Sequence, residues 1–246
     1  LMCSFKVVPG ELTLLDIEFL SSQPESIYLE PSCWQQVNDA EHVVNDIVKS
    51  NQTVYGINTG FGLLAHTNIA SSELSVLQRK ILLSHAAGMG ELLSDAIVKL
   101  ILLFKINSLA RGYSGIRRHV IELLIKFYNK GIYPCVPAKG SVGASGDLAP
   151  LAHLSLPLIG EGKVRYEGQI ISGMDALAII GEEPIELAPK EGLALINGTQ
   201  VSTAIAFHHL LQAQKLLTAG VIISALSVDA ALGTHLAFHP AIHEAR

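Results

Sequence analysis

The chain is 246 residues long, 49% hydrophobic and only 16% charged, with a mean hydropathy of +0.39. That composition supplies ample apolar surface for a core and excludes intrinsic disorder. Seventeen Lys and Arg against 22 Asp and Glu leave a formal charge of −5, and no basic block is present, which argues against a nucleic-acid partner.

Phe5 to Val8 is predicted as a short strand before Pro9-Gly10. Thr13-Leu14-Leu15-Asp16 has the order of a capping box and starts a short helix reaching about Ser21. Val37, Ala40, Val44, Ile47 and Val48 recur at helical spacing, so Pro31 to Ser50 is predicted helical. Gln52 to His66, with glycines at 56, 60 and 62, breaks the pattern and reads as a short extended piece and a loop. Helix resumes over Ser72 to Ala87 and ends at Gly88-Met89-Gly90. Ser94 is the expected cap of a strongly apolar helix running towards Arg111, stopped by Gly112. A further helix spans about Gly115 to Lys130 and stops at Gly131.

Pro134 to Gly162 is punctuated by glycine and proline and is the least regular stretch. Lys163 to Ile171 is predicted as a hairpin turning at Glu167-Gly168, followed by another punctuated loop to Gly198. Thr199 to His235 is helical in pattern, read as two helices meeting near Gly220. The sum is mainly α, with little strand.

The apolar excess does not imply a membrane span. Gly192 to Gln214 lacks Asp, Glu, Lys and Arg, yet it holds Asn197, Gln200, His208, His209, Gln212 and Gln214, which lipid rarely tolerates. Leu216 to Val228 is too short to span. Burial within a larger helical assembly explains both. Leu1-Met2-Cys3-Ser4-Phe5-Lys6 has no secretory pattern, and Cys3, Cys33 and Cys135 form no CxxC, so reduced thiols and a cytoplasmic location are expected.

Lys139-Gly140-Ser141-Val142-Gly143-Ala144-Ser145-Gly146-Asp147-Leu148-Ala149-Pro150 is the segment that carries chemistry. It lacks the Gly-Lys-Ser/Thr of a P-loop, and its glycine spacing is wrong for a dinucleotide fingerprint. A nucleophile elbow fails because Asp147 stands where the second glycine belongs, so a serine esterase is not expected. A different reaction suits Ala144-Ser145-Gly146. In a tightly bent loop the Gly146 amide nitrogen can attack the Ala144 carbonyl carbon, expelling one water. Loss of the Ser145 hydroxyl with its α-hydrogen expels a second and leaves an exocyclic methylene, an electrophile built from the chain. Gly146 is needed because a side chain would obstruct the approach and restrict φ. Asp147 is the expected N-cap of the following helix, whose positive end would draw electrons from the ring.

Gly140-Ser-Val-Gly-Ala-Ser-Gly-Asp-Leu-Ala-Pro-Leu-Ala-His153 resembles the signature of the histidine/phenylalanine ammonia-lyase family, whose Ala-Ser-Gly matures into 4-methylidene-imidazol-5-one (MIO). Tyr55-Gly-Ile-Asn-Thr-Gly-Phe-Gly62, Asn107-Ser-Leu-Ala-Arg-Gly-Tyr-Ser-Gly115 and Glu191-Gly-Leu-Ala-Leu-Ile-Asn-Gly-Thr-Gln200 also resemble family segments, so the likeness covers about Leu12 to Arg246. It implies an ammonia-lyase-like fold: a small β-containing N-terminal part leading into a long-helix bundle that is cut short here. Residues 1–198 would carry the tyrosine loop and the Ala-Ser-Gly site, and 199–246 would begin the bundle.

The resemblance also implies roles. Tyr55 would be the base that takes the β-proton, with the glycines after it letting the loop close. Ala144, Ser145 and Gly146 would form the MIO, supported by Asp147 and Gly143. Asn197, at the head of a helix, would contact the prosthetic group or the substrate. Ser84-His85 is similar to histidine-specific members, whereas Phe-Leu marks phenylalanine and His-Leu tyrosine specificity; His85 would then meet the substrate ring. His153 is expected to be structural. His208, His209, His235, His239 and His243 show no ligand pattern, so neither metal nor nucleotide is expected. The implied reaction converts L-histidine into urocanate and ammonia, in a homotetramer whose sites draw on several subunits. Family members are about twice as long, and their later half holds the substrate carboxylate. The alternatives are a catalytically silent N-terminal fragment and a phenylalanine or tyrosine ammonia-lyase.

Overall fold

The computed structural model describes residues 4–23, 25–50, 52–60, 68–70, 73–143 and 146–245. Near its start the reciprocal cap is formed: Asp16 N donates to Thr13 Oγ1 at 3.2 Å, and Thr13 N donates to Asp16 Oδ2 at 2.9 Å. Helix α1, Leu14–Ser22, follows from it and connects two parallel strands, β1 (Ser4–Val7) and β2 (Ser26–Leu29). α2 spans Cys33–Lys49 and buries Val37 and Val44, two of the periodic positions.

Two helices make the centre. α4, Asp95–Leu109, opens at Ser94, whose Oγ accepts from Ile97 N. It is apolar nearly all round and buried nearly all round, as a central helix must be. α5, Arg118–Lys130, packs against it through Val120, Ile121, Leu124 and Phe127, and ends at Gly131 in the left-handed conformation. α3, Leu74–His85, packs on α6, Leu148–Ser155, and on α8, Glu191–Ile196.

Small sheets tie the loops down. β3 (Met89–Leu92) pairs antiparallel with β5 (Pro137–Lys139), while β4 (Tyr133–Pro134), β6 (Lys163–Tyr166) and β7 (Gln169–Ser172) form a three-stranded sheet. The β6–β7 hairpin turns at Glu167 and Gly168, both with positive φ (48° and 78°), as a two-residue turn requires.

Three expectations are corrected. The punctuated stretch before Gly198 contains two helices, α7 (Gly173–Ile179) and α8. Both are too short for periodicity to reveal. α3 ends at His85, before Gly88 is reached, and Met89-Gly90 belongs to β3 rather than to a helix stop. Gly220 does not separate two helices: α9 runs unbroken over Gln200–Ala230. A glycine inside a helix costs only about 1 kcal/mol, which so long a helix absorbs. A short helix α10, Pro240–Glu244, comes last.

The chain forms two compact units, Leu1–Ala204 and Ile205–Arg246. Within the second, Leu216, Leu217, Val221, Leu232, Leu236 and Phe238 are exposed. Among the described residues α9 is the one helix long and apolar enough to cross a membrane. It also carries His208, His209, Gln212, Gln214 and Lys215, the polar content that argued against a span.

Candidate active site

The site is assembled around α8 and the first residues of α6 and α9. α8 has a buried charge at each end. At its start Glu191 is fully buried, and its carboxylate accepts from Arg117 N, Nε and Nη2 and from Ala188 N, at 2.7–3.0 Å. That carboxylate holds the Arg117 pKa above its ordinary value. At its end Lys105, 1% exposed, donates from Nζ to the carbonyls of Ala194 (2.7 Å) and Asn197 (3.1 Å). Burial pushes the Lys105 pKa down to about 7. Neither residue was singled out in the sequence. A lysine flanked by Phe104 and Ile106 in an apolar helix was the signal available for the second.

Beyond α8 the chain passes through Asn197 and Gly198, and Gly198 meets Gly146 in an isolated parallel bridge. The Gly198 carbonyl accepts from Asp147 N at 2.7 Å. Gly146 has φ +96°, and a Cβ there would overlap the Gly198 carbonyl. The glycine requirement at 146 is therefore both conformational and steric. Gly143 also has positive φ (+67°), but among the described residues none would crowd a Cβ there, so the requirement they impose is conformational alone. Ala144 and Ser145 lie outside the described residues.

Asp147 does not act as anticipated. It stands at the N-cap position of α6 but makes no side-chain cap bond there. Its buried carboxylate instead accepts from Ser141 Oγ (2.8 Å), Ser202 Oγ (2.5 Å) and Ser202 N (2.7 Å). Ser202 lies in the first turn of α9, whose free N–H groups need an acceptor and whose positive end favours a carboxylate. The acid thus caps the distant helix rather than its own, and joins the starts of α6 and α9.

The tyrosine segment reaches the same neighbourhood through its backbone. Val54 to Asn58 forms a tight turn, locked by Val54 N donating to Asn58 Oδ1 at 2.9 Å. Gly56 (φ +78°) sits on α8 so closely that a Cβ would come within 2.7 Å of Leu193 Cδ2. Tyr55 itself is 59% exposed. Residues 61–67, including the later part of the expected closing loop, lie outside the described residues.

His85 ends α3. Its Nδ1 lies 2.8 Å from the Ile81 carbonyl, which can only accept, so Nδ1 carries the proton and Nε2 keeps its lone pair. It binds its own helix rather than another candidate residue, and Ser84-His85 borders a hollow of about 590 Å³ with Leu77, Lys80, Ile81 and Leu83. α3 is fixed to α8 by Gly192 N donating to the buried Gln78 Oε1 (2.9 Å), and the short link from α3 to β3 is fixed to α6 by Gly88 N donating to His153 Nε2 (3.0 Å). His153 is therefore structural in effect, a neutral acceptor whose pKa burial lowers. Asn197 has an exposed side chain, while its backbone is held by Leu193 and Lys105.

The structure thus brings Gly146 and Asp147 against the residue that follows Asn197, and seats the Tyr55 turn on the helix that precedes it. The geometry fits a maturing Ala-Ser-Gly: a strained glycine in a cradle that a Cβ would fill, anchored by a buried carboxylate.

The family model described as aromatic amino acid lyase matches residues 12–246. The histidine ammonia-lyase of Vibrio cholerae is 55% identical over the whole chain, which covers 48% of that protein. Among solved structures, histidine ammonia-lyase from Trypanosoma cruzi superposes with a TM-score of 0.90 at 34% identity, covering 98% of this chain and 48% of that one. Ergothionase from Treponema denticola superposes with a TM-score of 0.92 at 25% identity, covering 99% and 49%. The chain spans about half the length of the curated relatives it matches. With this match over nearly its whole length, the chain belongs to the aromatic amino acid lyase family.

Proposed function

We propose that the protein eliminates ammonia from L-histidine to give urocanate, using an MIO made from Ala144, Ser145 and Gly146. The observation that carries this reading is Gly146, held at φ +96° against the Gly198 carbonyl in a space that admits no side chain. The likeness to histidine ammonia-lyases supports histidine as the substrate.

Once formed, the MIO supplies an electrophile that turns the amine into a better leaving group. The remaining work falls to side chains. Tyr55 Oη takes the β-proton, with its turn seated on α8. His85 Nε2, left with a lone pair by the Nδ1 bond to Ile81, accepts from an imidazole N–H of the substrate. The Asn197 amide, exposed at the end of α8, donates to substrate or MIO oxygen. Asp147 and Gly143 hold the loop that bears Ser145. No metal or nucleotide takes part in this reading. The exposed apolar row from Leu216 to Phe238 is covered by further helices in a cytoplasmic homotetramer, without a membrane partner.

That same row favours the second reading, a catalytically silent module that needs more chain to complete it. Intact mass decides between them. Maturation removes two water molecules, a deficit that Ser145→Ala must abolish, and the matured protein must convert histidine to urocanate, followed by its ultraviolet absorbance. An unshifted mass would refute the lyase reading. Equal turnover of phenylalanine or tyrosine would refute the assignment of His85.

A further inference from the structure

A lysine buried in an apolar helix needs a reason. Lys105 is flanked in α4 by Phe104 and Ile106, where methionine or leucine would pack without desolvating a charge. The reason lies 89 and 92 residues away, at the Ala194 and Asn197 carbonyls. Both belong to the C-terminal end of α8, where helix carbonyls lack partners and a cation is favoured.

The second of these bonds reaches beyond α8. The Asn197 carbonyl belongs to the peptide plane that contains Gly198 N, so Nζ fixes the orientation of that plane. Gly198 has φ +140°, a conformation that only glycine adopts easily, and such a residue has little intrinsic preference of its own. The grip on Asn197 therefore decides where the Gly198 carbonyl points. It accepts from Asp147 N and occupies the space that a Cβ on Gly146 would need.

We propose that Lys105 is a positioning residue for Gly146 and Asp147: by holding the Asn197 carbonyl it aims the Gly198 carbonyl at both. Its Nζ donates to the backbone carbonyls of Ala194 and Asn197, and it acts on Gly146 through one peptide plane. The part of this that concerns maturation rests on the proposed function; the part that concerns backbone position does not.

Two readouts on the purified protein test it: intact mass, and hydrogen exchange at the Asp147 amide. In Lys105→Met the side-chain volume is kept and the donors are lost. Exchange at Asp147 should accelerate by about tenfold or more while amides of α5 stay protected. Most of the population should also retain both waters. Lys105→Arg, which restores donors, should recover most of the protection and most of the mass deficit. Wild-type exchange at Asp147 in a folded Lys105→Met protein would overturn the proposal, and so would complete maturation there. If the wild type itself shows no mass deficit, the lyase reading fails, and exchange at Asp147 still decides the role of Lys105. If Lys105→Met does not fold, Lys105→Arg decides: rapid exchange at Asp147 above a protected α5 overturns the proposal, and protection supports it.

Discussion

Asp147 and Ser202 are joined twice across 55 residues, with the carboxylate accepting from Ser202 N at 2.7 Å and from Ser202 Oγ at 2.5 Å. The first bond satisfies a backbone donor that the start of α9 cannot satisfy itself. The second adds a hydroxyl, and Ser141 Oγ adds a third donor. Asp147 also begins α6 and donates its own N–H to Gly198. One buried carboxylate therefore fixes the starts of two helices and ties Ser141 to them.

Asp147→Ala should remove the acceptor and leave Ser202 N, in the first turn of α9, without its carboxylate partner. The expected loss is about 1–3 kcal/mol, read as a lower urea midpoint. Ser202→Ala removes only the hydroxyl and should cost less. A double-mutant cycle should then return a coupling of at least about 0.5 kcal/mol. Simple additivity would show that the two residues do not act as a unit.

Gly146 and Gly143 should respond differently to alanine. At 143 the described residues put only the positive φ at stake, a cost of about 1–2 kcal/mol. At 146 the new Cβ also meets the Gly198 carbonyl, so the bridge between the two segments must open. Gly146→Ala should therefore abolish the mass deficit, while Gly143→Ala should reduce it at most. Equal effects would contradict the steric argument.

What could be read in the sequence was local. The Thr13 capping box, the Ser94 cap, the hairpin at Glu167-Gly168 and the stop at Gly131 each need only a few neighbouring residues, and each formed. Ala144-Ser145-Gly146 was conspicuous for the same reason. Lys105 with Asn197, Gln78 with Gly192 and Asp147 with Ser202 join residues tens of positions apart, so no window on the chain contains both partners. Asp147 shows the limit most clearly. Its place before α6 is the right one for a cap, but a better acceptor task at α9 was within reach. The long-range pairing won.

Arg117 and Glu191 form an ion pair at the start of α8, with Glu191 fully enclosed and Arg117 about half-buried. Removing the cation strands the carboxylate, which costs far more than the pair contributes. Arg117→Met should lower stability by about 3–5 kcal/mol, and Arg117→Lys, which cannot reproduce the Nε and Nη2 fork, should fall between. Chemical denaturation measures both. A loss below about 1 kcal/mol in Arg117→Met would mean that water reaches Glu191.

His85 is tested by what it offers a substrate. With Nδ1 committed to Ile81, only Nε2 can accept. His85→Leu removes that acceptor and should lower kcat/KM for histidine by roughly 10- to 100-fold, the cost of a buried donor left unpaired. His85→Gln presents an amide oxygen and should recover part of it. Undiminished histidine turnover in His85→Leu would remove the residue from the substrate site.

His153 sets a pH dependence. Its Nε2 must stay unprotonated to accept from Gly88 N, and burial holds its pKa below the ordinary histidine value. In the unfolded chain the ring takes up a proton near pH 6.5, while the folded protein resists until the pH is lower. Between those two values the unfolded state binds more protons, so stability is complete above about pH 6.5 and falls as the pH drops towards the folded pKa. His153→Gln keeps an acceptor for Gly88 but does not titrate. The wild-type urea midpoint, taken relative to His153→Gln, should therefore decline between pH 7 and pH 5. A parallel pair of curves would mean that the ring is as easily protonated in the folded protein as in the unfolded chain, and the Gly88 bond would not be holding the link between α3 and β3 to α6.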